Sequence, residues 1–366
     1  MSNKRRLFCF FPLLLLQFFC ITAFAKSFTK PADSLKLFTG DNSYFQYTGR
    51  IDFSNPKTPR YWMPGVYVKA RFTGSSCIVL LNDEMLYGKF HNYIEIAIDN
   101  NKPVRQQLTG THNEIEAAKG LSNKEHSIVI CKNTEAGIGY IEFAGLKCAA
   151  LKKPSLKPVR KIECIGNSIT CGTGSDQSEI PCGKGIWQDQ HNAYMSYGPV
   201  TARNLYAQYH LSAVSGIGLM HSCCNLKIVM PEVFDKINMR NDSIGWDFKN
   251  YTPDVVTICL GQNDGVQDST VFCSNYINFI KQVRKQYGAA SIVCLTSPMA
   301  DEKLVLVMKK YLTAIISGAK QADDKKVSSF FFSKRYHNGC DSHPDLAEHQ
   351  LIAAELTAYL KKLKRW

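Results

Sequence analysis

The chain has 366 residues, of which 45% are hydrophobic, 11% aromatic and 20% charged. These ordinary globular values exclude a disordered or collagen-like chain and leave room for two packed domains. The formal net charge is +13. Because the basic clusters contain no interleaved aromatic residues, the sequence favours a solvated basic surface and no nucleic-acid partner.

The first 25 residues predict a cleaved signal peptide. Three basic residues at 4–6 precede an apolar stretch at 7–19, and Ala23-Phe24-Ala25 has the small-x-small form of a cleavage site. The apolar stretch is shorter than the roughly 20 residues that span a bilayer, and Pro12 interrupts it. We therefore expect a secreted or periplasmic protein that has no membrane partner after signal removal.

Signal removal would leave 14 − 2 = 12 cysteines, an even number in an exported chain, so some disulfides are expected. The sequence leaves their pairing open. Cys164, Cys259 and Cys294 lie inside apolar runs, where a buried free thiol is expected. The chain contains no CxxC pair, which disfavours a structural zinc site, and the adjacent Cys223 and Cys224 have no explanation in the sequence.

Residues 26–150 predict an antiparallel β-sandwich. Short apolar runs are separated by turn residues such as Thr73-Gly74-Ser75, at the spacing of sandwich strands. The predicted strands include 67–72, 77–81, 93–98, 126–131 and 139–143. This region groups no nucleophile with a base, so its expected role is structural or substrate-orienting.

Residues 151–158 predict a linker, since Pro154 and Pro158 stand among lysines. From 159 to 366 short apolar runs alternate with helical stretches, which indicates a parallel sheet with helices on both faces, an α/β fold of three layers. The predicted strands are 161–165, 211–214, 255–260, 292–295 and 327–332, and the predicted helices include 193–209, 271–286 and 304–320. Active sites in such sheets lie at the carboxyl ends of the strands.

A serine follows the first of these strands, in Gly166-Asn167-Ser168-Ile169-Thr170. Ser168 would lie on the tight turn between strand and helix, exposed at the carboxyl edge, with backbone N–H groups close by. A serine nucleophile is useful at this place. The alternative is that Ser168 only caps a helix.

Two further strands end in candidate hydrogen-bond donors. The second leads into Ser215-Gly216-Ile217-Gly218, where glycine lets the backbone turn an N–H toward a ligand. The third leads into Gly261-Gln262-Asn263-Asp264, where the Asn263 amide could donate to a developing oxyanion. Both segments are also compatible with ordinary turns.

A candidate base lies near the carboxyl end of the chain, in Asp341-Ser342-His343-Pro344. His343 could act as general base for a serine across the sheet edge. Asp341 could accept a hydrogen bond from the other ring nitrogen. The alternative is a metal site made by these two residues with His337 and His349, but their spacing matches no standard ligand pattern.

These four blocks, each at a strand end and in this order, resemble the SGNH hydrolase superfamily. The N-terminal region is similar to the jelly-roll half of carbohydrate esterase family 2, at residues 49–52, 71–74 and 132–135. The resemblance implies an SGNH-type, flavodoxin-like sheet after a jelly-roll domain. It also implies an exported acetyl esterase acting on acetylated plant-wall polysaccharide or oligosaccharide, such as xylan or mannan, without a metal or another cofactor.

Carried over to this sequence, the resemblance makes Ser168 the nucleophile and His343 the base. The oxyanion donors are the backbone N–H groups of Ser168 and Gly216 and the side chain of Asn263. The superfamily's acid stands three residues before the histidine, where this chain has Cys340. Asp341 is the available substitute, and a Ser–His dyad is the alternative.

The loop 172–192 follows the nucleophile and contains Trp187, which we expect to line the sugar side of the cleft or to fill the interface with the β domain. Two rival functions stay open at this point. One is a non-catalytic glycan-binding protein on an esterase scaffold, and the other is a lipase or thioesterase of the same superfamily. The sequence does not indicate an oligomeric state.

Overall fold

The computed structural model describes residues 34–99, 101–240 and 244–366. The predicted signal peptide, 1–25, and the start of the predicted β domain lie outside the described residues. An antiparallel β domain comes first, and a parallel sheet with helices follows it, so the predicted fold class is confirmed. Within the described part of the chain, no helix combines the length and apolar character needed to cross a membrane.

The β domain has nine strands among the described residues, and their pairings are antiparallel. The sheet order is β1-β9-β4-β8-β5-β6, while β2 and β7 pair with β4 and β3 pairs with β9. The strands are β1 (Lys36–Phe38), β2 (Gln46–Thr48), β3 (Arg60–Tyr61), β4 (Tyr67–Asp83), β5 (Tyr93–Ile98), β6 (Val104–Gln107), β7 (His112–Ala118), β8 (Glu125–Lys132) and β9 (Ile141–Lys152).

The long strand β4 contradicts one prediction. Thr73-Gly74-Ser75 does not end a strand, because the chain continues as one strand through it with a shift of register between Thr73 and Cys77. Gly74 has φ +110°, which residues with a side chain rarely adopt, so it bends the strand at a bulge. The first half of β4 pairs with β8 and the second half with β7, so the bulge lies where the partner strand changes.

The C-terminal part contains a five-stranded parallel sheet in the order β11-β10-β12-β13-β14. Its strands are β10 (Arg160–Gly166), β11 (Ala207–Ala213), β12 (Val255–Cys259), β13 (Ser291–Leu295) and β14 (Val327–Phe330). The helices are α1 (Ser168–Cys171), α2 (Tyr197–Asn204), α3 (Met230–Val233), α4 (Ser269–Gln286), α5 (Glu302–Gln321) and α6 (Leu346–Lys364).

The helix predicted at 193–209 is shorter in the structure. It ends at Asn204, because Tyr206 adopts a left-handed backbone with φ +51° and turns the chain into β11. All seven residues of β11 are buried and pair with β10. The burial of this strand on both faces hides the alternation that would separate it from a helix in the sequence.

Aspartate caps fix where the three long helices begin. Asp268, Asp301 and Asp345 each accept a hydrogen bond from the backbone amide three residues later, at 2.8 to 2.9 Å. A cap of this kind stabilises a helix by about 1 kcal/mol. The cap at Asp345 also ends the segment that carries His343, so it helps to place the histidine at the sheet edge.

A buried ion pair joins the β domain to the parallel sheet. Arg50 lies 3.1 Å from Glu163 on β10, and the two side chains are 1% and 0% exposed. The guanidinium also donates to the carbonyls of Phe234 and Lys236, at 2.6 and 2.7 Å, and Ser212 donates to the Glu163 carboxylate at 2.6 Å. The opposite charges of the two buried side chains thus compensate each other.

We expect Arg50→Met to lower the free energy of unfolding by about 3–5 kcal/mol, because the Glu163 carboxylate would stay buried without its cation. Urea-induced unfolding measures this loss. Arg71→Met is the matched control, since Arg71 pairs with Glu125 at a site where both side chains are 37% exposed, and such pairs contribute about 0–1 kcal/mol. Equal losses in the two variants would contradict a structural role for the buried pair.

Candidate active site

Ser168 lies directly beyond the carboxyl end of β10. Asn167 caps the short helix α1, and its side chain accepts a hydrogen bond from the Ile169 amide at 3.2 Å. A Cβ at Gly166 would lie 2.0 Å from the Thr170 hydroxyl, so the turn into the helix requires glycine here. The Ser168 N–H is at the first helical position and has no acceptor within the helix.

The structure brings Ser168 and His343 together across the sheet edge. The His343 Nε2 atom lies 2.8 Å from the Ser168 hydroxyl, and Nδ1 lies 3.1 Å from the Cys340 carbonyl oxygen. Because a carbonyl only accepts, Nδ1 carries the ring hydrogen and Nε2 accepts from the serine. In this tautomer His343 can receive the proton of the hydroxyl.

Asp341 lies on the 3₁₀ turn Cys340–Ser342, and the Cys340 carbonyl stands at Nδ1 of His343 in place of a carboxylate. Asp341 and Ser342 both have left-handed backbones, with φ +51° and +59°. This tight turn brings the Cys340 carbonyl back to His343, so the carbonyl accepts from the His343 backbone N–H at 3.0 Å as well as from the ring. Asp341 acts on the imidazole through its charge and through a backbone hydrogen bond, and both raise the pKa of His343.

Burial lowers the pKa of His343 below its usual 6.5, although the Cys340 carbonyl and the charge of Asp341 oppose this shift. Two other histidines interact electrostatically with His343. Burial lowers the pKa of His349 to about 3 and that of His191 well below its ordinary value, so both stay neutral near pH 7. Asp341 is therefore the charged side chain that acts on the pKa of His343 in the described residues.

Gly216 and Asn263 reach the same place from the two strands that flank β10. Gly216 follows β11 with φ +81°, and a Cβ there would lie 3.1 Å from the Cys223 sulfur. Asn263 follows β12, and its Nδ2 atom donates to the Ile217 carbonyl at 2.8 Å. Since an amide NH₂ has two hydrogens, the second stays available for a ligand.

Two carboxylates that the sequence analysis missed hold the loop that carries Gly216. Glu135 of the β domain is fully buried and accepts from the Ser215 amide at 2.7 Å. Asp264, in the loop after β12, accepts from the backbone amides of residues 219–221 at 2.7 to 3.0 Å. The β domain thus contributes to the site, and the only signal for this in the sequence was the segment 132–135.

The β domain also holds the loop 172–192. Arg105 donates to the backbone carbonyls of Asp189 and His191 at 2.8 and 3.0 Å, and the Tyr93 hydroxyl donates to the Asp189 side chain at 2.9 Å. Trp187 is 45% exposed, packs edge-on against His191 and lines the same cavity as Ser168. Of the two placements expected for Trp187, the structure shows the cleft wall.

Two disulfides lie around the site. Cys182–Cys340 joins the loop 172–192 to the histidine turn, and Cys223–Cys224 lines the cavity beside Gly216. The other described cysteines are free, and all but one of them are buried. The expectation of buried free thiols is therefore confirmed for the three it named, Cys164, Cys259 and Cys294.

A cavity of about 540 Å³ collects these side chains. Its wall includes all the site residues predicted from the sequence, namely Ser168, Trp187, Gly216, Asn263, Asp341 and His343. The described residues contain no group of three or more His, Cys, Asp or Glu side chains arranged to hold a metal ion.

The site combines a serine hydroxyl that is hydrogen-bonded to a neutral imidazole with amide donors that face the same cavity. This combination defines the site of a serine ester hydrolase. The two halves of the chain match two family models. Residues 47–158 match "Carbohydrate esterase 2 N-terminal", and residues 164–325 match "GDSL-like Lipase/Acylhydrolase family".

Known relatives point to the same group. A family two carbohydrate esterase from Clostridium thermocellum, solved with cellohexaose, is 32% identical with a TM-score of 0.80, over 88% of this chain and 99% of its own. The chain is 33% identical to the cellulase/esterase CelE of Acetivibrio thermocellus over 89% of its own length but spans only 40% of CelE. An acetylxylan esterase/glucomannan deacetylase of Cellvibrio japonicus is 27% identical, over 97% of this chain and 99% of the relative. The chain belongs to carbohydrate esterase family 2 and is a carboxylic ester hydrolase.

The pKa of His343 sets an expectation for the pH dependence. A general base works in its neutral form, and the lowered pKa keeps His343 neutral at pH values where an ordinary histidine is protonated. We expect kcat/KM for an acetate ester to fall at low pH with a midpoint below 6.5. A pH–rate profile measures it, and a midpoint above 6.5 would contradict the role of burial.

Proposed function

We propose that the protein is an exported esterase that removes O-acetyl groups from plant cell-wall polysaccharide of the xylan or mannan type. The observation that carries this proposal is the 2.8 Å contact between Ser168 and a His343 whose tautomer is fixed. The names of the Cellvibrio japonicus relatives and the cellohexaose bound to the Clostridium thermocellum structure support a glycan substrate. The signal peptide predicted at 1–25 supports secretion or transfer to the periplasm.

The proposed reaction is acyl transfer through an acetyl-serine. The Ser168 oxygen attacks the acetyl carbonyl carbon while His343 takes the hydroxyl proton. The resulting oxyanion accepts hydrogen bonds from the Ser168 and Gly216 amides and from the Asn263 side chain. His343 then protonates the sugar oxygen as its bond to the acetyl carbon breaks, and the sugar leaves with a free hydroxyl. Water, deprotonated by the same imidazole, attacks the acetyl-serine, acetate leaves and His343 returns the proton to the Ser168 oxygen.

Trp187 has a place in this proposal on the sugar side of the cleft. Its ring is about half exposed on the wall of the cavity that holds Ser168, and the contacts of Arg105 and Tyr93 fix the loop that carries it. An exposed indole ring at such a position can pack against the apolar face of a sugar. The acetyl group would then be presented to Ser168 by a sugar lying beside Trp187.

We expect Ser168→Ala to reduce acetate release from acetylated xylan by roughly 10⁴- to 10⁶-fold, because the hydroxyl is the only group that forms the acyl intermediate. Enzymatic determination of free acetate measures this. Ser155→Ala is the control, since Ser155 is exposed on the segment between the domains and should leave the rate unchanged.

Two outcomes would contradict the proposal. A folded wild-type protein that binds acetylated glycan without releasing acetate would favour a non-catalytic glycan-binding protein. Activity that rises with acyl chain length would favour a lipase or thioesterase.

Asp341 gives a separate test of how His343 is oriented. If Ser168 and His343 act as a dyad, the hydrogen bond from Nδ1 to the Cys340 carbonyl orients the ring. We then expect Asp341→Asn to lower kcat less than about tenfold, whereas removal of a triad aspartate lowers it about 10⁴-fold. Because the charge of Asp341 raises the pKa of His343, the acid midpoint of kcat/KM should move to lower pH. A loss of a thousandfold or more would instead make Asp341 the third member of a triad.

A further inference from the structure

We propose that the Cys182–Cys340 disulfide positions His343 by holding in place the carbonyl that orients the imidazole. This inference rests on the proposed function, because it concerns the same Ser–His pair. The disulfide joins residues 158 positions apart in the sequence. One end is the residue whose carbonyl contacts the ring, and the other lies on the loop beside the cleft.

The histidine turn is held together by contacts of its backbone. The Cys340 carbonyl accepts from both Nδ1 and the backbone N–H of His343, and the Gly339 N–H donates to the His343 carbonyl at 2.7 Å. The Cys340 N–H donates to the Gly174 carbonyl at 2.8 Å, six residues after Ser168. A displacement of Cys340 would therefore move the acceptor of Nδ1 and disturb the register between the serine and histidine segments.

This turn does not adopt an intrinsically favoured conformation. Asp341 and Ser342 are consecutive residues with left-handed backbones, and neither is glycine. Such residues persist where the surrounding structure restrains them. The turn therefore needs an external restraint to keep the carbonyl facing the ring.

The loop 172–192 can supply that restraint because it is itself anchored. The Gln190 side chain donates to the carbonyls of Ile180 and Lys184 at 3.2 and 3.0 Å, on the two sides of Cys182. The backbone carbonyls of the two residues that flank Gln190, Asp189 and His191, accept hydrogen bonds from Arg105 of the β domain. The S–S bond transfers this anchoring to Cys340, whose side chain is 7% exposed.

A neutral acceptor makes such positioning more important than it is in a triad. A carboxylate attracts an imidazolium over several ångströms, whereas a carbonyl helps only when it is close to Nδ1–H and well aligned. A displacement of about 1 Å at a catalytic group can cost about 100-fold in rate. By keeping the carbonyl in position, the disulfide thus helps to orient the imidazole, as a buried carboxylate does in a triad.

The test compares the double variant Cys182→Ser/Cys340→Ser with the wild-type protein. We expect kcat for an acetate ester to fall about 100-fold while KM changes less than about twofold. The acid midpoint of kcat/KM should also move to lower pH, because the Cys340 carbonyl raises the pKa of His343. A purely structural role would lower the melting temperature without either of these changes in the folded protein.

Cys273→Ser is the matched control, since Cys273 is a free, half-buried cysteine on α4. It should leave kcat and the acid midpoint unchanged. Circular dichroism shows whether each variant is folded at the assay temperature.

If the double variant does not fold, the Cys182–Cys340 disulfide can instead be reduced in a protein that has folded with the bond intact. Cys182 is exposed, so a dithiol can reach the bond, reduce it to two thiols and itself become a cyclic disulfide. The reduction is done in a Cys223→Ser/Cys224→Ser background, where Cys182–Cys340 is the one disulfide left among the described residues. We expect kcat to fall on reduction and to return on reoxidation. Unchanged kcat after reduction, verified by mass spectrometry, would overturn the proposal.

Labelling of Ser168 by an organophosphate separates this proposal from the proposed function. The Ser168 oxygen attacks the phosphorus of the reagent, the leaving group departs and His343 takes the serine proton, so labelling needs the Ser–His pair but no acetyl substrate. Slower labelling in the double variant than in the wild-type protein would support the positioning role of the disulfide even if the wild-type protein releases no acetate. Equal labelling rates and equal kcat in the two proteins would overturn this role and leave the esterase function intact.

Discussion

The hydrogen bond between a backbone carbonyl and a histidine ring is the interaction on which the site depends. Because the Cys340 carbonyl can only accept, it fixes the proton of His343 on Nδ1 and leaves Nε2 free to accept from Ser168. Burial then keeps the imidazole neutral, which is the form that can take a proton. No carboxylate is required at Nδ1 for this tautomer, but the carbonyl must be held in place.

The β domain is part of the machinery that holds the site. Glu135 binds the amide next to Gly216, and Arg105 binds the loop that carries Trp187 and Cys182. The Arg50–Glu163 pair fixes the β domain against the strand that leads to Ser168. These contacts come from three separate segments of the β domain. They give a physical reason why the two domains occur in one chain, since the parallel sheet alone would leave these two loops beside the cavity without the contacts of Glu135 and Arg105.

The sequence predicted several parts of this arrangement well, and the reasons are local. The strands that lead to Ser168, Gly216 and Asn263 are short apolar runs followed by glycine-containing turns, and parallel strands place such turns at one edge. The errors have local causes too. Gly74 reads as a turn residue but lies in a bulge, and β11 is buried on both faces, so its beginning has no alternating pattern.

By itself, the sequence determined the order of the elements, the strand ends that carry the reactive side chains and the residue types available there. These features depend on the pattern of apolar and turn residues along the chain, which is a local property. Only the tertiary structure decided that the Cys340 carbonyl contacts Nδ1 of His343, that Cys182 is the disulfide partner of Cys340 and that Glu135 and Asp264 hold the loop that carries Gly216. Each of these contacts joins groups through a turn geometry or across a long sequence separation. Their formation depends on backbone turn geometry and on how segments remote in sequence pack together, which the pattern of apolar and turn residues does not specify.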